Sequence, residues 1–405
     1  MRLIISFSAL FASISLLQLS SGAIGPLDVL SGMQEGFSTA EIGLLGSAHF
    51  TGFFIGCWWA PRLMGEVGHS RAFAAFAAAG AIGAIAHPLL VQPLAWAALR
   101  LMTGLCVAGC YTVIEAWMQA KLTNQNRGRV MASYRVVDTV ASAVAQLMIG
   151  ALTPASYISY NLLAILCCAC LFPLTLTKLK QPAMPKAPRL RPIKTMMTSP
   201  LGAAGVIVAG ISGASFRMVG PIYGGEIGLT AQQIGYFLAS VLVGGALAQF
   251  PVGFLADKFD RRKVLIGVSA FGIGASFLFA SVNPSNFVEI ALLAALFGAF
   301  TYPIFSISTA HANDFASPEN MVELNASLMF LYGIGAIFSP LTASILIEHF
   351  GPSALFVFIA VAHVFLVAFG LYRMLVREPR LHKTRYTYVP RTSFTIGKLI
   401  RRNKR

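Results

Sequence analysis

Five charged side chains lie far inside long apolar runs of this sequence: Arg100, Glu115, Arg135, Asp138 and Arg217. If those runs cross a lipid bilayer, each charge near the bilayer centre costs about 2.5–3.5 kcal/mol on insertion scales. Charges kept at that cost usually face a partner or a water-filled cavity, where they can bind a solute or exchange a proton. We therefore treat these five residues as candidates for substrate binding or proton coupling.

Three of the five lie on either side of one short basic connection. Glu115 precedes Lys121 by six residues, and Arg135 follows Arg129 by six. Two antiparallel helices would place both side chains at similar depth, with Asp138 about one helical turn further along. The spacing favours a Glu115–Arg135 ion pair between helices, with Asp138 as an alternative acceptor. Such a pair is either a permanent structural contact or a site where one carboxylate changes its protonation.

Arg100 and Arg217 lie in opposite halves of the chain, and no acidic residue near Arg217 in its own apolar run neutralises it. Because guanidinium groups bind carboxylates and phosphates through paired hydrogen bonds, we expect both arginines to offer positive charge to an anionic part of a substrate. The alternative for Arg217 is a side chain that snorkels or bonds backbone carbonyls. A sixth charge, Asp28, lies nearer the end of the first apolar run.

Other chemistry-bearing patterns are few. His49, His87, His311 and His363 lie in apolar runs, where a histidine can act as a proton site or simply pack with a hydrogen bond. The six cysteines also lie in apolar runs and are expected to be small buried thiols. The chain has no H-E-x-x-H pattern and no Walker-type G-x-x-x-x-G-K-[ST] pattern. We expect no metal, no cofactor and no enzymatic activity.

The composition indicates that the apolar runs cross a bilayer. The chain is 56% hydrophobic and 11% charged, whereas soluble domains average about 25% charged residues. A spanning helix needs about 20 apolar residues, and backbone groups in lipid must be bonded within the segment, so the runs are helices. The twelve predicted helices cover approximately 3–30, 41–63, 71–91, 94–120, 130–152, 157–177, 200–224, 232–255, 263–282, 287–311, 322–347 and 353–375.

The charges between the helices predict one orientation. If the N terminus is inside, every Lys or Arg in a connection falls in an even-numbered connection, and the tail from Arg373 adds eleven more. The odd-numbered connections carry only acidic charges: Glu35, Glu41, Glu226, Glu289 and Glu348. Because basic connections stay in the cytoplasm, we expect both termini there, in a bacterial inner membrane. The net charge of +15 then reflects orientation and predicts no nucleic-acid partner.

The two halves of the chain repeat. Ser38–Gly43 is S-T-A-E-I-G and Thr230–Gly235 is T-A-Q-Q-I-G, and the same offset of 192 pairs Gly52 with Gly244. Parallel six-helix repeats are one architecture of membrane transporters. The predicted divisions are an N-terminal six-helix bundle at 1–177, a basic, proline-rich linker without helix at 178–199, a C-terminal six-helix bundle at 200–376 and a basic tail at 377–405.

Both ends of the chain allow two interpretations. Met1-Arg2 and the apolar stretch up to Ser20-Ser21-Gly22 resemble a cleaved signal peptide, but the repeat favours a retained first helix as the partner of helix 7. The tail ends in Arg401-Arg402-Asn403-Lys404-Arg405. It is either a lipid-binding segment or, as we favour, a soluble end that reinforces the orientation.

Gly253–Lys263 is G-F-L-A-D-K-F-D-R-R-K, and it resembles the G-x-L-A-D-[RK]-x-G-R-[RK] signature of the major facilitator superfamily. The position between helices 8 and 9 is that of the second copy of the signature. The resemblance implies a role in conformational gating for a set of residues within this segment. They are Gly253, Asp257, Lys258, Arg261 and Arg262.

The resemblance also predicts contacts for this segment. The signature aspartate of the family caps a helix in the other half, so we expect Asp257 to face the start of helix 5. Arg261 or Arg262 is expected to pair with Asp314. The first copy of the signature has decayed, since Gly65 stands where the aspartate would be.

Arg100-x-x-x-Gly104 resembles the R-x-x-x-G element of the superfamily. Three later stretches resemble its YcaD-like branch: Val113-Ile114-Glu115, Asn126–Arg129 and Gly298–Pro303. The resemblance covers about 5–375. It implies an all-α membrane protein of major-facilitator-type fold, with about 12 transmembrane helices in two pseudo-symmetric six-helix bundles. The implied function is secondary active transport of a small solute by alternating access, by symport or antiport. We expect a monomer in the lipid bilayer. The coupling ion would be a proton if Glu115 or Asp138 titrates. The alternative is a transporter-like receptor or scaffold without net transport.

Four helix-breaking residues lie late in the second half: Pro303 in helix 10, and Gly333, Gly335 and Pro340 in helix 11. Alternating access requires gating helices to bend, and proline or glycine allows this. The alternative is close packing of helices by small residues.

Overall fold

The computed structural model describes residues 2–123, 125–176, 189–281, 286–317, 319–376, 384–389, 391–395 and 397–398. These residues form twelve long helices, as the sequence predicted. They are α1 (Arg2–Gln34), α2 (Thr39–Val67), α3 (His69–Ala86), α4 (Pro93–Lys121), α5 (Arg127–Leu147), α6 (Tyr157–Ala169, then Leu171–Thr175), α7 (Pro200–Glu226), α8 (Ala231–Lys258), α9 (Arg261–Ser281), α10 (Phe287–Thr301, then Pro303–Asn313), α11 (Met321–Phe350) and α12 (Ala354–Val376).

Short helical segments lie between the long ones. The 3₁₀ turns His87–Leu89 and Met148–Ala151 follow α3 and α5. A two-turn helix, Pro192–Thr198, occupies the end of the segment that we expected to contain no helix. That expectation was wrong for these residues. Pro192 fixes the first helical φ angle, and Arg191, just before it, pairs with Glu323 of α11 at 3.1 Å between Nε and Oε1.

Ten of the described helices are long and apolar enough to cross a bilayer; the two others of membrane length are α2 and α5. Part of the surface of these two faces protein rather than lipid, because α2 packs against α4 and α11 while α5 packs against α1 and α8. A helix that lies between other helices can carry polar residues without exposing them to lipid. This explains why α5 contains both Arg135 and Asp138.

The internal repeat corresponds to matching local structure. Ser38 accepts a hydrogen bond from the backbone of Glu41, and the Glu41 carboxylate accepts one from the backbone of Ser38. Thr230 and Gln233, each 192 positions later, form the same capping box at the start of α8. Both boxes satisfy backbone N–H groups that would otherwise lack a partner at a helix start. The sequence echo therefore marks two equivalent helix N termini.

Glycines make equivalent helix crossings in the two halves. A Cβ atom at Gly52 of α2 would clash with the carbonyl oxygen of Leu101 in α4, and one at Gly244 of α8 would clash with that of Ala295 in α10. The facing helices show the same feature: a Cβ atom at Gly104 of α4 would clash with the carbonyl oxygen of His49, and one at Gly298 of α10 with that of Val241. Close backbone approach of this kind needs residues without side chains.

The two halves touch each other at one end of the bundle. We call this the acidic end, because its connections hold Glu35, Glu226 and Glu289; the opposite, basic end holds the connections with Arg62 and Lys258. The backbone N–H of Ala40 donates to Glu348 Oε2 at 3.0 Å, and that of Leu341 donates to Ser47 Oγ at 3.2 Å. Further along, the ring of Phe54 fills the space beside Gly333. Nearer the basic end, the described residues of the C-terminal tail lie between the halves.

Replacing Gly52 or Gly244 by Ala should lower the thermal unfolding midpoint of the purified protein. The added methyl groups force α2 from α4, or α8 from α10, which typically costs about 1–3 kcal/mol. Gly274→Ala in α9 is the matched control, since nothing lies within 4 Å of a Cβ at that position. An unfolding midpoint that is the same for all three variants would contradict the proposed crossings.

Candidate functional site in the central cavity

A cavity of about 160 Å³ lies between the two halves. Its walls come from both halves and from the tail, and they combine charged, hydroxyl and aromatic side chains. The polar and aromatic lining residues include Gln18, His49, Tyr111, Asp138, Arg217, Tyr302, Tyr332, Tyr388, Arg391 and Thr392. Two of the five candidate residues, Asp138 and Arg217, therefore line one space from opposite halves.

Asp138 belongs to a hydrogen-bond network in the N-terminal half. The Tyr111 hydroxyl lies 2.8 Å from Asp138 Oδ1 and 2.5 Å from Gln18 Oε1. The Gln18 amide in turn donates to Ser142. The network joins α1, α4 and α5 and holds a carboxylate at the cavity wall, where water or a solute can reach it.

Glu115 is covered by the tail. Its side chain is 1% exposed and accepts a hydrogen bond from Tyr134 at 3.1 Å. The hydroxyls of Thr392 and Ser393 also donate to it, and Thr395 Oγ1 lies 3.4 Å away. A buried carboxylate that keeps its charge needs such donors, because burial without partners is costly.

The predicted ion pair between Glu115 and Arg135 does not form. The guanidinium carbon of Arg135 lies 5.1 Å from the ring centre of Tyr388 instead. The prediction was wrong because Glu115 accepts hydrogen bonds from Tyr134 and from hydroxyl groups of the tail. Arg135 contacts an aromatic ring of the tail instead of a carboxylate. Asp138 also accepts its hydrogen bond from Tyr111, and no described salt bridge joins it to Arg135.

Arg100 is paired and does not line the central cavity between the halves. Its Nε lies 3.4 Å from Asp28 Oδ2, and both side chains are 1% exposed. His87 Nε2 lies 3.4 Å from the same oxygen, and the Tyr160 hydroxyl donates to Asp28 Oδ1 at 2.9 Å. The expectation that Arg100 offers its charge to a substrate is wrong for this conformation, since a carboxylate 72 positions away in sequence neutralises it. We call these four residues the Asp28 cluster.

Arg217 differs from Arg100 in having no such partner. It projects into the central cavity from α7, and no carboxylate among the described residues forms an ion pair with it. His49 lines the cavity on the opposite wall. Of the two arginines expected to bind an anionic group, Arg217 is the one that lines this cavity.

The signature segment forms an ion network around the buried Arg261 side chain at the basic end. Arg261 donates to Asp314 Oδ1 at 2.7 Å and to Asp257 Oδ1 at 3.0 Å, and its side chain is 1% exposed. The predicted pairing of an arginine with Asp314 is confirmed. Arg262 pairs with Asp260 at 2.7 Å. Burial opposes ionisation of Asp260, but the hydrogen bonds from Arg262 outweigh it and lower the pKa of that carboxyl below its ordinary value.

We had expected Asp257 to face the start of α5, and this expectation is wrong for this conformation. Its carboxylate is 46% exposed and accepts hydrogen bonds from Arg261 and from the backbone N–H of Tyr386. Gly253 faces the ring of Tyr386 rather than a second helix, and Lys258 lies near the rings of Phe254 and Phe259. The tail occupies the place that the other half was expected to take.

The helix-breaking residues are placed in two ways. Pro303 begins the second segment of α10, so this helix is interrupted where the sequence suggested. Helix α11 continues through Gly333, Gly335 and Pro340. A Cβ at Gly333 would meet the ring of Phe54, and one at Gly335 would meet the backbone of α7. In this conformation the two glycines serve close packing.

The residues that sequence reasoning missed are those of the tail. We had expected a soluble or lipid-binding end, but Tyr388, Arg391 and Thr392 line the cavity. The composition of this segment could have indicated its position: 386–395 is Y-T-Y-V-P-R-T-S-F-T, with three aromatic residues, four Ser or Thr residues and a single charge. A segment that only binds lipid headgroups would be expected to carry more basic residues.

Comparison with known proteins is decisive for the family. The model of the Major Facilitator Superfamily matches residues 202–405, which is half of the chain. The chain belongs to the Major Facilitator Superfamily. The match includes the signature segment and α7–α12, and the N-terminal half repeats their fold.

Two relatives extend the similarity over nearly the whole chain. The MFS-type transporter YcaD of Escherichia fergusonii is 26% identical over 377 residues, which are 92% of this chain and 95% of the relative. An MFS-type transporter of Enterobacter sp. strain 638 is 26% identical over 381 residues, covering 93% and 96%. The resemblance to YcaD-like transporters is therefore confirmed.

Solved structures share the fold at low sequence identity. The nucleoside transporter NupG has a TM-score of 0.75 at 16% identity, covering 91% of this chain and 99% of NupG. A D-xylose-proton symporter has a TM-score of 0.66 at 14% identity, covering 90% and 97%. These structures show the fold, and membership of the family makes this chain a multi-pass membrane protein and a secondary transporter.

Removing Arg100 should destabilise the protein rather than alter solute choice. Arg100→Met leaves the Asp28 carboxylate buried beside a neutral side chain, and breaking a buried pair in this way costs about 3–5 kcal/mol. The double variant Asp28→Asn with Arg100→Met should recover part of the loss, because the unpaired charge is gone. Unfolding midpoints in one detergent test this, and a single variant as stable as the parent would refute it.

Proposed function

We propose that this major facilitator protein moves a small solute with an anionic group, and that a proton on Asp138 couples the movement. The supporting observation is that Asp138 and Arg217 line one cavity from opposite halves. A solute anion beside Arg217 and a protonated or charged Asp138 across the cavity are electrostatically linked, since the surrounding protein screens charge less than bulk water does. Loading one site changes the free energy of charging the other.

Alternating access fits the arrangement of the two halves. The acidic end is held by contacts such as those of Ala40 with Glu348 and of Gly235 with the backbone of Gln146. At the basic end the tail separates the halves. We propose that the basic end faces the cytoplasm, in agreement with the distribution of Lys and Arg. The conformation is then inward-facing, with an outer end that opens when the halves rock.

The signature segment is proposed to stabilise the opposite state. When the basic end closes, Asp257 would lose its bond to Tyr386 and become free to face the start of α5, where unpaired N–H groups favour a carboxylate. Arg261 would keep Asp314 as its partner within the same half. We propose that Pro303, Gly333, Gly335 and Pro340 accommodate the accompanying bending of α10 and α11.

Glu115 is proposed as a second titrating group. In the inward-facing state the hydroxyls of the tail cover it. It becomes accessible only when the tail leaves, so its proton exchange would be confined to other states of the cycle. A transporter-like receptor without net transport would have no need of this arrangement, and an uphill flux measurement distinguishes the two.

Asp138→Asn should abolish proton-coupled accumulation while leaving downhill exchange in place. The amide keeps the bond to Tyr111 but cannot take up a proton. Proteoliposomes with an internal pH dye measure solute-induced proton movement, and isotope exchange of the same solute measures the uncoupled step. Glu289→Gln, at the exposed acidic end, is the matched control and should behave like the parent. Full coupling in Asp138→Asn would exclude this residue as the coupling site.

Arg217→Ala should weaken binding of anionic solutes by about 10- to 100-fold, the usual loss for a hydrogen bond to a charged group. Binding of neutral analogues should change little. Arg217→Lys keeps the charge but not the planar fork, so an intermediate loss is expected. A thermal-shift screen of paired anionic and neutral solutes on the purified variants supplies the comparison. Unchanged preference in Arg217→Ala would refute the anion site.

A further inference from the structure

The described part of the C-terminal tail, residues 384–389, 391–395 and 397–398, enters the bundle from its basic end. We call it the tail segment. The backbone N–H of Thr384 donates to Asp314 Oδ1 at 2.7 Å, and that of Tyr386 donates to Asp257 Oδ1 at 2.7 Å. The Tyr386 hydroxyl donates to Gln249 Oε1 at 2.6 Å. Three side chains of the C-terminal half thus bind the first residues of the segment.

The signature segment fits this contact closely. Arg261 donates to the hydroxyl of Thr384 at 3.1 Å and also to its carbonyl oxygen. Gly253 leaves room for the Tyr386 ring, which would lie 2.7 Å from a Cβ at that position. The same residues that carry the family signature therefore hold the tail segment in this conformation.

An aromatic cage formed by Tyr302, Phe305 and Tyr332 surrounds the next charged residue of the segment. The guanidinium carbon of Arg391 lies 5.2 Å from the ring centre of Tyr302, 5.8 Å from that of Phe305 and 5.4 Å from that of Tyr332. Aromatic faces attract cations at these distances, and the attraction is stronger where water is excluded. The three rings come from α10 and α11, beside the cavity that Arg217 lines.

The far end of the segment reaches the N-terminal half. Thr392 and Ser393 bond Glu115 of α4, and the Phe394 ring lies 5.9 Å from that of Phe54 in α2. Phe394 is buried. The segment therefore crosses the gap between the halves, with hydrogen bonds to both sides of it.

We propose that the tail segment is a tethered ligand of the transport cavity, and that the aromatic cage is a binding site for solutes with a guanidinium or compact alkylammonium group. Arg391 occupies the site that such a group would take. The cavity then offers Arg217 to an anionic group and the cage to a cationic one. A solute with both charges competes with the segment for the same space.

Occupancy by the segment also stops the transport cycle. The halves cannot close at the basic end while a peptide lies between Glu115 and the signature residues. Because the segment is covalently attached, its effective concentration is high, and a free solute displaces it only when its own concentration relative to its Kd exceeds that of the segment relative to the segment's Kd. The tail must be released before the basic end closes, so the segment acts as an internal inhibitor of transport. This role rests on the transport function proposed above.

Access of a thiol reagent to the cavity tests the proposal without requiring a known solute. Thr139 lines the cavity on α5. In a cysteine-free chain carrying Thr139→Cys, a water-soluble maleimide should react slowly. Adding Arg391→Ala should speed the reaction roughly tenfold, because a desolvated cation–aromatic contact is lost. Arg391→Lys should remain close to the parent, since the charge is kept.

Arg385→Ala is the matched control, because Arg385 is an exposed arginine of the same segment. Its labelling rate should equal that of the parent. If Arg391→Ala also labels at the parental rate while its unfolding midpoint is normal, the cavity is not closed by the segment and the proposal fails. Unfolding midpoints of every variant separate opening of the cavity from loss of fold.

A pair of small probes tests the cage itself. Methylguanidine and methylurea have nearly the same shape, and only the first is charged. Methylguanidine should raise the unfolding midpoint of Arg391→Ala, whose cage is empty, more than that of the parent, whereas methylurea should raise neither. Equal shifts for both probes, or for both proteins, would overturn the assignment of a cation site.

These measurements do not depend on net transport. If the cavity opens in Arg391→Ala and binds methylguanidine, yet no solute accumulates in proteoliposomes, the transport proposal fails and the tethered ligand stands. If accumulation occurs at the same rate with and without Arg391, the transport proposal stands and inhibition by the segment is refuted.

Discussion

Charge buried among apolar helices must find a partner within the protein, because hydrocarbon offers none. This constraint accounts for where most polar side chains of the bundle lie. Asp28 is bound by Arg100, His87 and Tyr160, each from a different part of the N-terminal half. Arg261 is bound by Asp257 and Asp314 in the other half. Both clusters hold helices together and leave little charge free for a solute.

The functional roles proposed above rest on the charges that remain. Among the described residues, Arg217 has no carboxylate partner and Asp138 is bound by the hydroxyl of Tyr111 alone. The tail donates hydroxyl hydrogen bonds to Glu115 and places the Tyr388 ring against Arg135, and in our proposal the tail leaves during the cycle. In this proposal, structural charges have permanent partners, whereas the charges that change state during transport have removable ones.

The repeat shows the same distinction between scaffold and function. Capping boxes and glycine crossings occur at equivalent positions in both halves, since each half needs the same helix starts and the same close approach of α2 to α4 or α8 to α10. The signature survives only in the second half, where Gly253, Asp257 and Arg261 contact the tail. The first half has Gly65 at the corresponding place. The two halves therefore match at the helix starts and crossings that packing requires, and they differ at the signature, where only the second half contacts the tail.

The sequence by itself determined the membrane class, the twelve helices and the repeat, because these depend on local composition, spacing and charge. The family followed from the resemblance of Gly253–Lys263 to a known signature. The sequence did not determine which charges pair, since Asp28 and Arg100, or Glu115 and Ser393, are brought together only by the packing of distant segments. The position of the tail was likewise decided by tertiary structure: a gap between two halves, with donors and aromatic rings on its walls, exists only after both halves have folded.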